Sequence, residues 1–133
     1  MKNKKKTIIL VVIAIFVLAA IGYGMKKSSQ PDIIWEDSDK IGIVNFDLDG
    51  TQSKEMIIQS YYTDIKDFIS VLDKESLKDY EYIRFVGNVK RENKIESTIK
   101  GNLTISYIKN AENIGILDVE DNMQDLFIPT PLQ

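Results

Sequence analysis

The chain is short and lacks the residue types on which much enzyme chemistry depends. It has 133 residues, of which 17 are basic and 20 acidic, and it contains no Cys and no His. This length allows one domain of ordinary size. The sequence excludes a disulfide framework, a Cys/His zinc site, and any mechanism that needs a histidine base or a cysteine nucleophile.

Charge is distributed unevenly along the chain. Residues 1–28 contain six Lys and no acidic residue, so the remaining 105 residues hold 11 basic and all 20 acidic residues, a net charge of −9. A domain this acidic disfavours binding to nucleic acid. The excess of Lys over Arg, 15 to 2, and the 21 Ile are typical of AT-rich genomes, so we expect a bacterial source.

An uncharged run over residues 7–24 predicts a transmembrane anchor. Its 18 residues would rise about 27 Å as a helix, close to the hydrocarbon thickness of a bilayer. Four Lys precede the run and two follow it. The positive-inside rule therefore predicts a cytoplasmic basic tail over residues 1–6, a linker over residues 25–31 and an extracytoplasmic domain over residues 32–133.

The same run also fits a secretory signal peptide, whose cleavage would leave the domain secreted. The segments Val-Leu-Ala at positions 17–19 and Gly-Tyr-Gly at positions 22–24 resemble cleavage sites. The first site would cut within the apolar run, and Lys26 and Lys27 after the second are typical of an interfacial stop. We therefore favour an uncleaved single-pass signal-anchor in the cell membrane.

The outer domain opens with a predicted β-hairpin. Residues 32–36 and 40–48 are rich in strand-forming side chains and flank Asp37, Ser38 and Asp39, which favour turns. This pattern predicts two antiparallel strands joined by a tight turn.

A single amphipathic helix follows. Thr51 or Ser53 can cap its start, and large apolar side chains recur at helical spacing over residues 58–72. We expect this stripe to cover one face of a sheet. It consists of Ile58, Tyr61, Ile65, Phe68, Ile69 and Leu72.

Two further strands are predicted, over residues 82–89 and 95–107, with a polar turn between them. Each alternates apolar and polar side chains, which is typical of an antiparallel sheet with one solvated face. Gly101 predicts a bulge or bend in the second strand. A short acidic helix is expected over residues 119–127, followed by an extended segment over residues 128–132. The predicted fold class is α+β: the N-terminal transmembrane helix, then a small antiparallel sheet in ββαββ order covered by one amphipathic helix.

One motif suggests catalysis. Residues 46–51 read FDLDGT, at the end of a predicted strand and just before the helix. The motif resembles the first motif of the haloacid-dehalogenase-like phosphatases. The resemblance implies that Asp47 is the nucleophile, that Asp49 is the general acid/base and that Mg²⁺ is the cofactor. It also implies a parallel sheet with crossover helices. The acidic residues 117–125 resemble that family's late metal motif. The alternative, which we favour, is ordinary turn and cap chemistry between strand and helix.

The same stretch also resembles a calcium loop. Asn45, Asp47 and Asp49 fall at positions 1, 3 and 5 of such a loop, with Gly50 at position 6. Position 12, where a bidentate Glu belongs, is Met56. The sequence thus offers these three side chains as an irregular metal site, while our main expectation is no metal and no cofactor.

Three aromatic residues are candidates for contact with a partner: Trp35, Tyr61 and Tyr62. The alternative is that they belong to the core of a small domain, which we favour. The combined expectation is a non-catalytic, membrane-anchored interaction or accessory protein of a bacterial cell-surface complex, binding another envelope or surface protein and no nucleic acid. The alternative is a small Mg²⁺-dependent phosphatase-like enzyme that uses Asp47 and Asp49.

Overall fold

Residues 31–132, which a computed structural model describes, form a five-stranded sheet with helices. The strands are β1 (Ile34–Glu36), β2 (Ile41–Asp49), β3 (Tyr82–Arg91), β4 (Lys94–Thr104) and β5 (Gln124–Phe127), in that order across the sheet. The helices are α1 (Lys54–Val71), α2 (Ile105–Asn110) and α3 (Ile116–Asn122), with 3₁₀ turns at Lys74–Ser76 and Thr130–Leu132. The predicted α+β class is confirmed, and the sheet is mostly antiparallel.

The pairing of β2 with β3 is parallel, so the prediction of a wholly antiparallel sheet is wrong at this pair. The 18 residues of α1 rise about 27 Å, close to the roughly 30 Å spanned by the nine residues of β2. The helix therefore returns the chain to the start of β2, where Tyr82 pairs with Ile41. A helix between two strands provides the long crossover that a parallel pair requires.

The predicted N-terminal hairpin is confirmed. β1 pairs antiparallel with β2, and Trp35 lies opposite Gly42. A Cβ at Gly42 would come within 2.8 Å of Ile33 Cγ2 and 3.0 Å of Trp35 Cζ3, so both side chains lie on the same face as Gly42. Ile34, between them in the chain, points to the opposite face because successive strand side chains alternate.

The second hairpin is also confirmed, but its last strand is shorter than predicted. Glu92 and Asn93 form the turn with φ of 53° and 65°, and β3 pairs antiparallel with β4. β4 ends at Thr104, whose hydroxyl accepts a hydrogen bond from the backbone N of Tyr107 at 3.1 Å. This cap starts α2, so Ile105 and Tyr107 lie in a helix rather than in the predicted strand.

The predicted helix is confirmed as α1, with its buried face turned slightly from the predicted stripe. Ser53 caps it, because its Oγ accepts a hydrogen bond from the backbone N of Met56 at 3.2 Å. Ile58 and Leu72 are only partly buried, and Ile57 and Tyr62 are buried in their place. The buried side chains of α1 are Ile57, Tyr61, Tyr62, Ile65, Phe68 and Ile69.

Tyr61 joins α1 to the centre of the sheet. Its side chain is fully buried, and its hydroxyl donates a hydrogen bond to the carbonyl O of Phe85 at 2.7 Å. At Gly87 on β3, a Cβ would lie 2.7 Å from Tyr61 Cδ1 and 2.8 Å from Leu48 Cδ1. At Gly101 on β4, a Cβ would lie 3.1 Å from the Tyr61 hydroxyl. Two glycines therefore make the space that this tyrosine fills.

The C-terminal region differs from its prediction. The helix predicted over residues 119–127 is instead α3, which starts earlier because Asp118 Oδ2 accepts a hydrogen bond from the backbone N of Gly115 at 2.7 Å. The chain then leaves the helix to form β5 along the edge of β4. Between Lys100 and Asn102 the β4–β5 register shifts, and the extra residue lies in β5. β4 pairs regularly with β3 across Gly101, so the bulge predicted at Gly101 is wrong; the β3–β4 register shifts instead next to Val89. Within the predicted extended segment, residues 128–132, the last three form a 3₁₀ turn.

One core lies on one face of the sheet. It contains the buried apolar side chains of β2, β3 and β4 together with those of α1, α2 and α3. Within residues 31–132, the helices thus pack on this face alone. We call the opposite face the open face. It includes Ile34, Ile43, Asp47, Asp49, Arg84, Val86, Lys90, Ile95, Lys100 and Phe127.

Candidate functional site

The residues proposed as a calcium loop do not form a loop. Asn45, Asp47 and Asp49 are alternate residues of β2, so all three side chains lie on the open face. Alternate strand residues are separated by about 7 Å, and an extended strand cannot wrap three of them around one ion. Among the described residues, no group of three or more Asp or Glu side chains converges to hold a metal ion. The calcium interpretation requires these three side chains in a loop, whereas the structure has them on a strand.

The two carboxylates of the FDLDGT motif have separate partners. Asp47 Oδ2 lies 3.1 Å from the ammonium of Lys90 on β3. Asp49 Oδ1 accepts hydrogen bonds from the Thr51 hydroxyl at 2.7 Å and from the Thr51 backbone N at 2.9 Å. These bonds, the hydroxyl first, lower the pKa of Asp49 below its usual value. Asp49 thus stabilises the turn between β2 and α1, as the alternative interpretation of the motif as a turn and cap expects.

The surroundings of the motif agree with the phosphatase resemblance in one respect. β2, α1 and β3 form a parallel crossover unit, and the motif ends its first strand. Asp47, however, stands two residues before the end of β2 and is paired with Lys90. In the acidic stretch near the C-terminus, Asp118 caps α3 and Asp125 accepts a hydrogen bond from Asn102 at 3.4 Å.

Trp35 belongs to a cluster at the turn of the first hairpin. Its ring meets Tyr80 edge-on, with 5.4 Å between centroids, and the Lys78 ammonium lies 5.8 Å from its centroid. Asp37 accepts hydrogen bonds from the Tyr80 hydroxyl and from Lys78, and these partners, Tyr80 first, lower its pKa. The Lys40 ammonium lies 5.2 Å from the Tyr80 centroid. Trp35 is half-buried, and part of its ring surface is already engaged within the chain.

The other two predicted contact residues lie in the interior. Tyr61 is 0% exposed and Tyr62 is 4% exposed. Burial raises the pKa of both phenols, with a further contribution at Tyr62 from Glu120. Neither side chain offers a surface to a partner. Tyr61 and Tyr62 are therefore core residues, the alternative that the sequence analysis favoured.

A cleft lies at the end of β2, where α1 begins. It has a volume of about 290 Å³, and Gly50, Arg91 and Ser97 are among its lining residues. The Arg91 guanidinium donates to the carbonyl O of Gly50 at 2.6 Å and lies 3.3 Å from Glu96. Its positive charge is therefore engaged within the chain.

The open face contains residues that the sequence analysis did not single out. Ile34, Ile95 and Phe127 are more than half exposed there. Val86 and Ile43 are half-buried at its centre. Val86 was the one signal in the sequence for an apolar surface on this face. It occupies a position of β3 at which the alternation predicts a polar side chain.

Within residues 31–132, no helix is long and apolar enough to cross a bilayer, and the predicted anchor over residues 7–24 lies outside the described residues. Comparison with known protein families, with curated proteins and with solved structures finds no match to this chain.

Proposed function

We propose that this chain is a membrane-anchored binding module of the bacterial cell surface, without catalytic activity of its own. In this proposal residues 7–24 hold it in the membrane with the N-terminus in the cytoplasm. Residues 32–133 then stand outside, where the domain binds another protein through its open face. The alternative location is secretion after cleavage of the N-terminal segment.

The composition of the open face carries the proposal. Ile34, Ile95 and Phe127 are 57%, 56% and 55% exposed on it, although the other face of the same sheet has a complete apolar core. Single exposed apolar residues are ordinary, but several on one uncovered sheet face are typical of an interaction surface. These three side chains lie at the edges of the face, and charged side chains of β2, β3 and β4 stand between them together with the half-buried Ile43 and Val86.

Cysteine labelling of the full chain tests both parts of this proposal. Because the chain has no Cys, a single introduced Cys is the only thiol. Asp67→Cys stands on the outer side of α1 and Thr98→Cys on the open face. In intact cells we expect a membrane-impermeant maleimide to label Asp67→Cys rapidly and Thr98→Cys slowly, because a partner covers the open face.

Two results would contradict the proposal. An Asp67→Cys that is labelled only after the cells are opened would place the domain inside the cell. A Thr98→Cys that reacts as fast in cells as in the purified chain would mean that nothing covers the open face. The mass of the protein in the membrane fraction separates the retained anchor from a cleaved one.

A phosphatase-like activity is the second candidate. One observation favours it: β2, α1 and β3 form a parallel crossover unit, and the FDLDGT motif lies at the end of β2. In that case Asp47 would attack phosphorus, Asp49 would act as general acid/base, and these two carboxylates would hold a Mg²⁺ that would neutralise charge on the phosphate. Mg²⁺-dependent hydrolysis of an aryl phosphate by the full chain, lost in Asp47→Asn, would support this candidate. We expect no hydrolysis by either protein.

A further inference from the structure

We infer that residues 128–132 form an autoinhibitory strap, which occupies a groove that can otherwise seat a short apolar, proline-containing segment of another chain. These residues follow β5 and read IPTPL. The inference does not depend on what binds the open face, because the groove lies where β2 ends and α1 begins. Three observations support it: the walls of the groove, the attachment of the strap, and the cavities beside its buried side chain.

The walls of the groove are held by bonds within the domain. The Ser53 hydroxyl caps the start of α1. The backbone N of Gly50 donates a hydrogen bond to the carbonyl O of Lys90 at 2.7 Å, and the Arg91 guanidinium donates to the carbonyl O of Gly50 at 2.6 Å. None of these bonds involves the strap, so the groove would keep its shape when the strap leaves.

The strap lies outside the ladder of strands. β5 ends at Phe127, and Pro129 and Pro131 have no backbone N–H to donate to a neighbouring strand. The backbone N of Leu132 donates to the carbonyl O of Pro129 at 2.9 Å, which is a bond within the strap itself. Towards the domain the strap presents two apolar side chains, since Leu132 is 7% exposed and Ile128 is partly buried against the same core.

Leu132 stands between two cavities. One is the cleft of about 290 Å³ at the end of β2, which Ile57 and Val89 also line. The other has a volume of about 620 Å³ and lies at the first turns of α1, where Ile58 and Ile128 are among its lining residues. A side chain bordered by cavities on two sides makes fewer packing contacts than one in a close-packed core. Leu132 can therefore leave while the rest of the core stays folded, and its departure would join the two cavities.

The strap itself indicates the chemistry that the groove accepts. Its buried leucine fills the space between the cavities, while Thr130 and Pro131 are exposed. The prolines restrict φ, so a segment of this kind loses little conformational entropy when it is seated. A similar segment of another chain needs the place that Leu132 fills. The tethered strap competes for that place at an effective concentration of about millimolar order, and it thus excludes weakly binding segments.

Thiol labelling of the full chain tests whether the strap leaves without unfolding of the domain. The native chain has no Cys, so Val89→Cys places a single thiol in the lining of the groove. Val44→Cys on β2 is the matched control, since the two valines are 2% and 0% exposed. We expect a maleimide to label Val89→Cys about 100-fold faster than Val44→Cys, at a rate that low urea does not change, because a local opening exposes little surface. Equal rates with equal urea dependence would overturn the inference.

Removal of the anchoring side chain shows whether the strap is what covers the groove. Leu132→Ser, added to each cysteine variant, should accelerate the labelling of Val89→Cys about ten-fold further and leave Val44→Cys unchanged. Equal acceleration of both would mean that Leu132 supports the whole core, and no acceleration of either would mean that it does not cover Val89. Either result would overturn the strap.

A peptide tests whether the groove accepts a second segment. The probe is a synthetic peptide with the sequence of residues 128–133, and the control peptide has serine in place of its leucine. In the chain with Val89→Cys and Leu132→Ser, a millimolar concentration of the probe should slow labelling several-fold, and the control peptide should not. In the chain that retains Leu132, the probe should have a smaller effect. No protection by the probe, or equal protection in both chains, would overturn the autoinhibitory role.

Discussion

Replacing Gly87 by Ala tests whether α1 packs on β3 as closely as the structure has it. The added Cβ would lie 2.7 Å from Tyr61 Cδ1 and 2.8 Å from Leu48 Cδ1, whereas carbon atoms in contact are separated by about 3.5–4.0 Å. Neither neighbour can move freely, because both are buried and the Tyr61 hydroxyl is bonded to Phe85 O. Overpacking of this kind costs about 1–3 kcal/mol, and two simultaneous overlaps suggest the upper part of that range.

The assay is urea unfolding of residues 31–133, the unit that contains the whole described core. We expect Gly87→Ala to lower the free energy of unfolding by about 2–3 kcal/mol, or to lower the Tm by roughly 10 °C. Gly115→Ala is the matched control. Its Cβ would lie 3.7 Å from the nearest atom, Asp118 Oδ2, and its φ of −108° suits any residue. Equal stability of the two variants would refute the close packing of Tyr61 on β3.

Three further substitutions test the local chemistry of α1 and β2. Burial, with a contribution from Asp67, raises the pKa of Asp64 to about 6, so the folded state retains a proton that the unfolded state releases between pH 4 and 6. The free energy of unfolding therefore falls as the pH rises through this window. At pH 7 Asp64→Asn should be about 1 kcal/mol more stable than the native chain, a value reduced for the partial exposure of the carboxyl, and below pH 4 the two should be equally stable. A gain in stability that does not depend on pH would contradict this cause. Ser53→Ala removes the side-chain acceptor of Met56 N and should lower the free energy of unfolding, measured in urea, by about 1 kcal/mol. An unchanged unfolding midpoint would show that Ser53 does not cap α1. Asp47→Asn breaks a largely exposed pair with Lys90 and should change stability by less than about 0.5 kcal/mol, so a larger loss would show that this pair supports β2.

Local patterns were sufficient to predict most individual elements. The turn formers at Asp37–Asp39 marked the first hairpin, and the spacing of Tyr61, Ile65 and Phe68 marked α1. These signals are local, because turn geometry and helical periodicity are determined by neighbouring residues. The end of β4 was not predicted, because Ile105 and Tyr107 continue its alternation while the Thr104 hydroxyl starts a helix.

The direction of strand pairing and the open face are non-local and were harder to predict. Alternation in β3 indicates that one face is covered, but it does not distinguish a parallel from an antiparallel neighbour. The motif at Asp47 and Asp49 was read for chemistry because its residue types are those of a metal or phosphoryl site. Only the strand register reveals that these side chains belong to a larger surface with Val86 and Phe127.

The parallel pair at the centre of the sheet also has a consequence for how the chain acquires its fold. β2 leaves the ribosome before α1, yet the strand it joins begins at Tyr82, some forty residues later. β3 and β4 can associate across a two-residue turn, which is a rapid local event, whereas β2 must await a long-range closure. The β3–β4 ribbon can therefore form as soon as its two strands are synthesised. β2, by contrast, has only the three-residue strand β1 to pair with until β3 has been made. Nascent chains halted before Tyr82 should accordingly depend on chaperones, and this dependence should end once the residues of α2 and α3 that complete the core have been made.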